Sequence, residues 1–271
     1  MCLAIVAFHA HPSYAVLVAA NRDEFHARPA APAGWWRDGP YAGTLAGRDL
    51  EAGGTWLGVT RAGRWAFVTN VREPGRHDPS APSRGSLVPR VLHDDRDIAI
   101  ALEATIEDGS RYNGFNLLAG DTAHAAWGSN RYGGAHVLVP GIYGLSNAQL
   151  DTPWPKLART KAGVAAWIAA GGDDVNGLFA LLGDRTMADD DALPATGVSR
   201  EWERQLSAPF IVGDRYGTRC STVLTITRDG AARFVERSFG PDGEPVDEVL
   251  HSFDLEKLAV PATAISAAHA P

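Results

Sequence analysis

Two apolar runs, "CLAIVAF" and "YAVLVAA", open the chain on either side of "HPS". Turn formers between β-rich runs predict an antiparallel hairpin, which returns Asn21, Arg22, Asp23 and Glu24 to the neighbourhood of Cys2. Residues 26–54 are rich in Pro, Gly and Ala and read as a long ordered loop. "TWLGVT" and "WAFVTN" flank "RAGR" and predict a second hairpin whose Gly63 takes the positive φ of a tight turn. Breakers follow in "REPGRHDPSAPSRGS", and the apolar spacing of residues 86–107 predicts one or two helices. "NGFNLLAGD", "HAAWGSN" and "AHVLVPGIYGLSN" read as three strands, "PWPKLARTKAGVAAWIAA" and "DVNGLFALLGD" as helices. "CSTVLTITRDGAARFVERSF" predicts a hairpin around Asp229 and Gly230, with one more strand in "VDEVLHSFD". Residues 259–271 lack periodicity and read as a flexible tail.

Hairpins interleaved with helical blocks fit an α+β sandwich in which two antiparallel sheets face each other under outer helices. No repeat or linker divides it, so residues 1–258 are expected to form one domain. Composition narrows the role of that domain. With 32 acidic against 25 basic side chains the net charge is -7, which disfavours nucleic acid and anionic lipid as partners. The apolar start is too short to span a bilayer and has no signal-peptide features, so stable membrane insertion is not expected. Two cysteines in 271 residues suit free thiols in a reducing compartment, and the chain reads as cytoplasmic. The pattern carries no signal for oligomeric state.

Cys2 directly follows the initiator methionine. Removal of Met1 would leave one residue bearing a thiol and an α-amine, a nucleophile with its own base; their ordinary pKa values lie near ~8.5 and ~8. The alternative is a small apolar side chain starting a buried strand. "NRDE" ends the second strand beside it: Arg22 offers a fixed fork of donors, and Asp23 suits an α-amine or, equally, a structural pair with an arginine. Strand alternation sends Asn21 and Asp23 to one face and Arg22 and Glu24 to the other. Asn70 and Asn147 each follow a strand, where an amide serves as oxyanion donor or as a turn or helix cap. Arg219 is a candidate anion ligand, Cys220 a buried small residue. His9 and His11 share a strand face and read as a surface pair, with metal or haem ligation the alternative; no metal site is expected. There is no P-loop and no glycine-rich dinucleotide fingerprint, and "GVSRE" lacks the second glycine of a nucleophile elbow.

"MCLAIVAF", "VAANRDEFHARPAAPAGWW", "LAGRDLEAGGTWLGV", "VTNVRE", "SRG", "LSNAQLDTPWPK" and "YGTRCSTVL" occur in order, and together they resemble the NRDE family, also called the transport and Golgi organisation protein 2 family. That family is similar in pattern to N-terminal nucleophile hydrolases of the choloylglycine hydrolase and penicillin acylase kind, which implies a four-layer αββα sandwich. The resemblance implies Cys2 as nucleophile, Asp23 near the α-amine, and Asn147 with Asn70 as oxyanion or substrate donors. Those hydrolases carry an arginine three residues before the aspartate, where this chain has Ala20; Arg22 and Arg219 are the candidates to replace it. The expectation is a cysteine amidohydrolase cleaving a C–N amide bond of a small molecule, needing no cofactor. The alternative is a noncatalytic carrier of haem or a hydrophobic acyl ligand, with His9, His11 or Cys2 meeting the iron.

Overall fold

In the computed structural model, which describes residues 2–256, two antiparallel sheets face each other and helices cover their outer faces. The first sheet runs β10 (Gly141–Leu145), β1 (Cys2–Phe8), β2 (Tyr14–Phe25), β11 (Tyr216–Thr227), β12 (Ala231–Phe239) and β13 (Pro245–Asp254). The second runs β3 (Ala30–Trp35), β4 (Thr44–Asp49), β5 (Leu57–Thr60), β6 (Trp65–Asn70), β7 (Phe115–Gly120), β8 (Ala125–Ser129) and β9 (Gly133–Val137).

Strand alternation builds three apolar layers from these two sheets. Ala4, Val6, Phe8, Val16, Val18, Leu224 and Ile226 point inward against Leu45, Val59, Trp65, Phe67 and Leu118 of the second sheet. The intervening Ile5, Ala7, Leu17, Ala19 and Val223 point outward beneath α3 (Pro155–Ala169) and α4 (Val175–Leu182). On the far side, Ala66, Val68, Leu117 and Ala119 are covered by α1 (Leu87–Leu92) and α2 (Ile98–Glu107). Because strands such as β1 are buried on both faces, their sequences are continuous apolar runs. Each fully buried Leu, Ile, Val or Phe contributes about 1.5–3 kcal/mol. The architecture is the four-layer αββα sandwich.

Two readings of the pattern are corrected. Residues 26–54 are not a loop: β3 and β4 lie there and end the second sheet. Pro32 is tolerated because β3 is an edge strand and its register with β4 shifts between Ala31 and Gly34, a place where a missing N–H costs no ladder bond. "AHVLVPGIYGLSN" is two strands in different sheets, β9 and β10, separated at Pro140. The short α5 (Arg200–Gln205) also went unread, its N-terminus capped by the Ser199 side chain. The expected tail, 259–271, lies outside the described residues.

Candidate active site

Register brings the site together before any side chain is considered. Cys2 pairs with Arg22, and Arg22 pairs on its other side with Cys220. Cys2, Arg22 and Glu24 open onto a cleft of about 370 Å³, whose opposite wall includes Asp49, Trp56, Asn70 and Arg84. Thus β1 and β2 supply one wall and the second sheet with its loops the other.

The alternation expected of "NRDE" is present. Asn21 turns outward, where its amide donates to the Leu182 and Pro209 carbonyls and its oxygen accepts from the Ser221 hydroxyl. It ties β2 to the helical layer and does not reach the cleft. Asp23, on the same outward face, is also buried in protein: Thr218 Oγ1 donates to its Oδ1 at 2.7 Å, and Lys156 Nζ of α3 lies 4.0 Å from its Oδ2. Burial pushes the Asp23 carboxyl up, opposed by Lys156 and Thr218. Burial likewise pulls the Lys156 ammonium down, with Asp23 opposing. Burial raises the Cys2 thiol, helped by the Asp23 charge and opposed by the Asp23 backbone N–H and Arg22.

The two asparagines differ in surroundings. Asn70, at the end of β6, is half-buried and lines the cleft. Asn147 is sealed, with Nδ2 donating to the Asn70 carbonyl at 2.9 Å and its own carbonyl accepting from the Arg72 N–H. Its neighbour Ser146 donates to the Cys2 carbonyl at 3.0 Å. The segment after β10 thus holds both Cys2 and Asn70 in place.

Of the candidate arginines, Arg22 reaches the cleft and Arg219 does not. The β2–β11 register slips between Thr218 and Cys220, so Arg219 is the extra residue of a bulge. Its guanidinium instead donates to the Phe25, His26 and Arg28 carbonyls and secures the turn after β2. Arg22 stacks 4.4 Å over Trp56 and lies 3.5 Å from Asp49, while Arg28 clasps the same carboxylate at 2.6 and 3.2 Å. Arg84 is a cleft cation with no carboxylate within ion-pair distance among the described residues; its Nη1 donates to the Gly114 carbonyl. Arg84 sits where the chain passes Gly54 so closely that a Cβ there would lie 2.4 Å from the Gly85 backbone.

Arg84 and Lys156 were missed by sequence reasoning. Lys156 had a legible signal: Lys156, Thr160 and Val164 are the buried stripe of α3, at i, i+4, i+8 spacing. A lysine on that stripe marks a charge forced inside.

Cys220 is buried and its thiol raised, first by burial and then by Glu236. His9 and His11 sit at the β1–β2 turn, seven to nine residues from Cys2, or roughly 20–30 Å along an extended strand. His9 Nε2 meets the Thr122 carbonyl; His11 Nε2 meets the Gly172 carbonyl and its Nδ1 accepts from Ser13 and Tyr14. Their rings serve the turn. Of the residues expected to meet a haem iron, only Cys2 lines the cleft, and no cluster of three or more metal-ligating side chains occurs among the described residues.

The comparisons agree with this architecture. The fold resembles a bile acid hydrolase from Clostridium perfringens, solved as its C2A mutant, at TM-score 0.50 and 10% identity, covering 94% of this chain and 92% of that one. In sequence, the chain is 36% identical to the Transport and Golgi organization protein 2 homolog of Bos taurus, over 94% of this chain and all of that protein. It is 36% identical to the Homo sapiens homolog over 88% of this chain and 93% of that one. The Drosophila melanogaster protein is 26% identical over 90% and 95%. The signature of Transport and Golgi organisation 2 matches residues 1–241, and the chain belongs to that family.

Proposed function

We propose that this protein is an N-terminal cysteine amidohydrolase that cleaves the C–N bond of a small linear amide. The observation that carries the reading is the Cys2 thiol at the wall of a cleft, with Asn70 across it and Asp23 behind it. Removal of Met1 frees the α-amine, which takes the thiol proton; the thiolate attacks the amide carbonyl, and the proton passes to the leaving amine as the C–N bond breaks. Water then cleaves the thioester and restores the thiol. Asn70 donates to the developing oxyanion, Asn147 holds Asn70, and Asp23 organises the amine. Arg22, Glu24 and Arg84 face the substrate. The likeness to a bile acid hydrolase supports the scaffold, and the substrate is a small molecule because the cleft is at the lower end of ligand-pocket sizes. No helix among the described residues is long and apolar enough to cross a membrane; we place the reaction in the cytoplasm, where a free thiol stays reduced.

The test is a panel of linear amides with the wild type and Cys2→Ser. Hydrolysis that depends on Cys2, with a thioester adduct of matching mass, is expected; rates identical in the variant would sink the reading. A cleft that instead takes up haem saturably under reducing conditions, with no amide cleaved, would favour a noncatalytic carrier.

A further inference from the structure

Lys156 is 1% exposed, and its Nζ makes no hydrogen bond to a described residue. A methionine would fill that volume without the cost of taking an ammonium out of water. What the ammonium faces is Asp23 at 4.0 Å, directly behind Cys2. Arg72, from the segment after β6, lies near enough to oppose it and is itself paired with Glu203 of α5 at 2.6 Å. Among the described residues, the buried cluster therefore sets two cations, Lys156 and Arg72, against two anions, Asp23 and Glu203. It is balanced before the Cys2 α-amine is added.

We propose that Lys156 is a positioning residue for the Cys2 site: by offsetting Asp23 it keeps the α-amine of the processed chain in its free-base form, ready to accept the thiol proton. This rests on the hydrolase reading above. Without the lysine, Asp23 would hold an ammonium in its place, and an amine already carrying a proton cannot take another. With the lysine, a protonated amine adds an unbalanced buried charge until the thiolate forms beside it. The step is then a simple transfer, S–H broken and N–H made, with no net change of charge. Among the described residues, the other titratable groups on the cleft with Cys2 are Arg22 and Glu24 of β2, Arg28, Asp49, Glu51, His77, Asp78 and Arg84; Tyr216 and Cys220 of β11 lie near enough to act on its charge.

The test follows carboxamidomethylation of Cys2 by iodoacetamide against pH, read by peptide mass in Met1-free protein. Lys156→Met and Lys156→Gln, both checked for folding, are expected to move the midpoint up by about one unit, a roughly tenfold slower reaction on the acid limb. Lys156→Arg is expected to restore it. A merely structural lysine would slow labelling by one factor at every pH and leave the midpoint in place, and that result in either folded variant overturns the proposal. A wild-type Cys2 that stays inert across the range defeats the hydrolase reading itself, and is scored before the variants.

Discussion

Asn70 and Asn147 carry the same functional group into different surroundings, and their substitutions should separate. Asn147→Ala leaves the Asn70 carbonyl without its buried donor, a loss of about 1–3 kcal/mol in urea unfolding. Asn70→Ala, at a half-buried position on the cleft, is expected to keep near wild-type stability while turnover falls by about 10²–10³. Equal stability losses in both would contradict the division of labour. Much of the site was legible at this scale, because strand alternation alone separates Asn21 and Asp23 from Arg22 and Glu24. The fate of Arg219 was not: a bulge between Thr218 and Cys220 depends on pairing with β2, which local sequence does not encode. Arg84 was hidden for a related reason, since only the fold of its breaker-rich loop brings it beside Cys2.

Among the elements, the contacts between sheets set the shape of the cleft. Glu236 of β12 accepts from the Ala33 N–H of β3 at 2.8 Å and from the Thr222 hydroxyl at 3.1 Å, fastening one sheet to the other. Burial raises its carboxyl above the ordinary 4.5. The unfolded chain therefore loses its proton first as pH rises, and stability falls from about that pH until the folded carboxyl also ionises. Glu236→Gln is expected to remove this contribution and to be the more stable protein at neutral pH; thermal melting across pH 4 to 8, in steps of about one unit, would show a smaller loss of stability in the variant than in the wild type. Gly54→Ala tests the other wall: its methyl has only 2.4 Å to the Gly85 backbone, so about 1–3 kcal/mol of stability should go with the shift of the Arg84 turn. Sequence pattern located the hairpins of β1 with β2, β5 with β6, and β11 with β12. It failed at β3 and β4, where Pro and Gly composition hid strands that exist because a neighbouring sheet edge accepts them.

For the molecule as a whole, apolar runs buried on both faces dictated the layered sandwich, and the pairing of chain start with strand end placed the thiol at its rim. Family membership and fold follow from the same residues that build the cleft. What decides the chemistry is whether the chain begins in the cell at Cys2, since an attached Met1 turns the α-amine into a peptide nitrogen with no proton-accepting power. The most direct measurement is the intact mass of natively expressed protein before and after a thiol-directed acyl probe, with Cys2→Ala as control. The account predicts loss of Met1, one adduct at Cys2 and none in the control, Cys220 being sealed in the core. A retained Met1 with an unreactive Cys2 would contradict it.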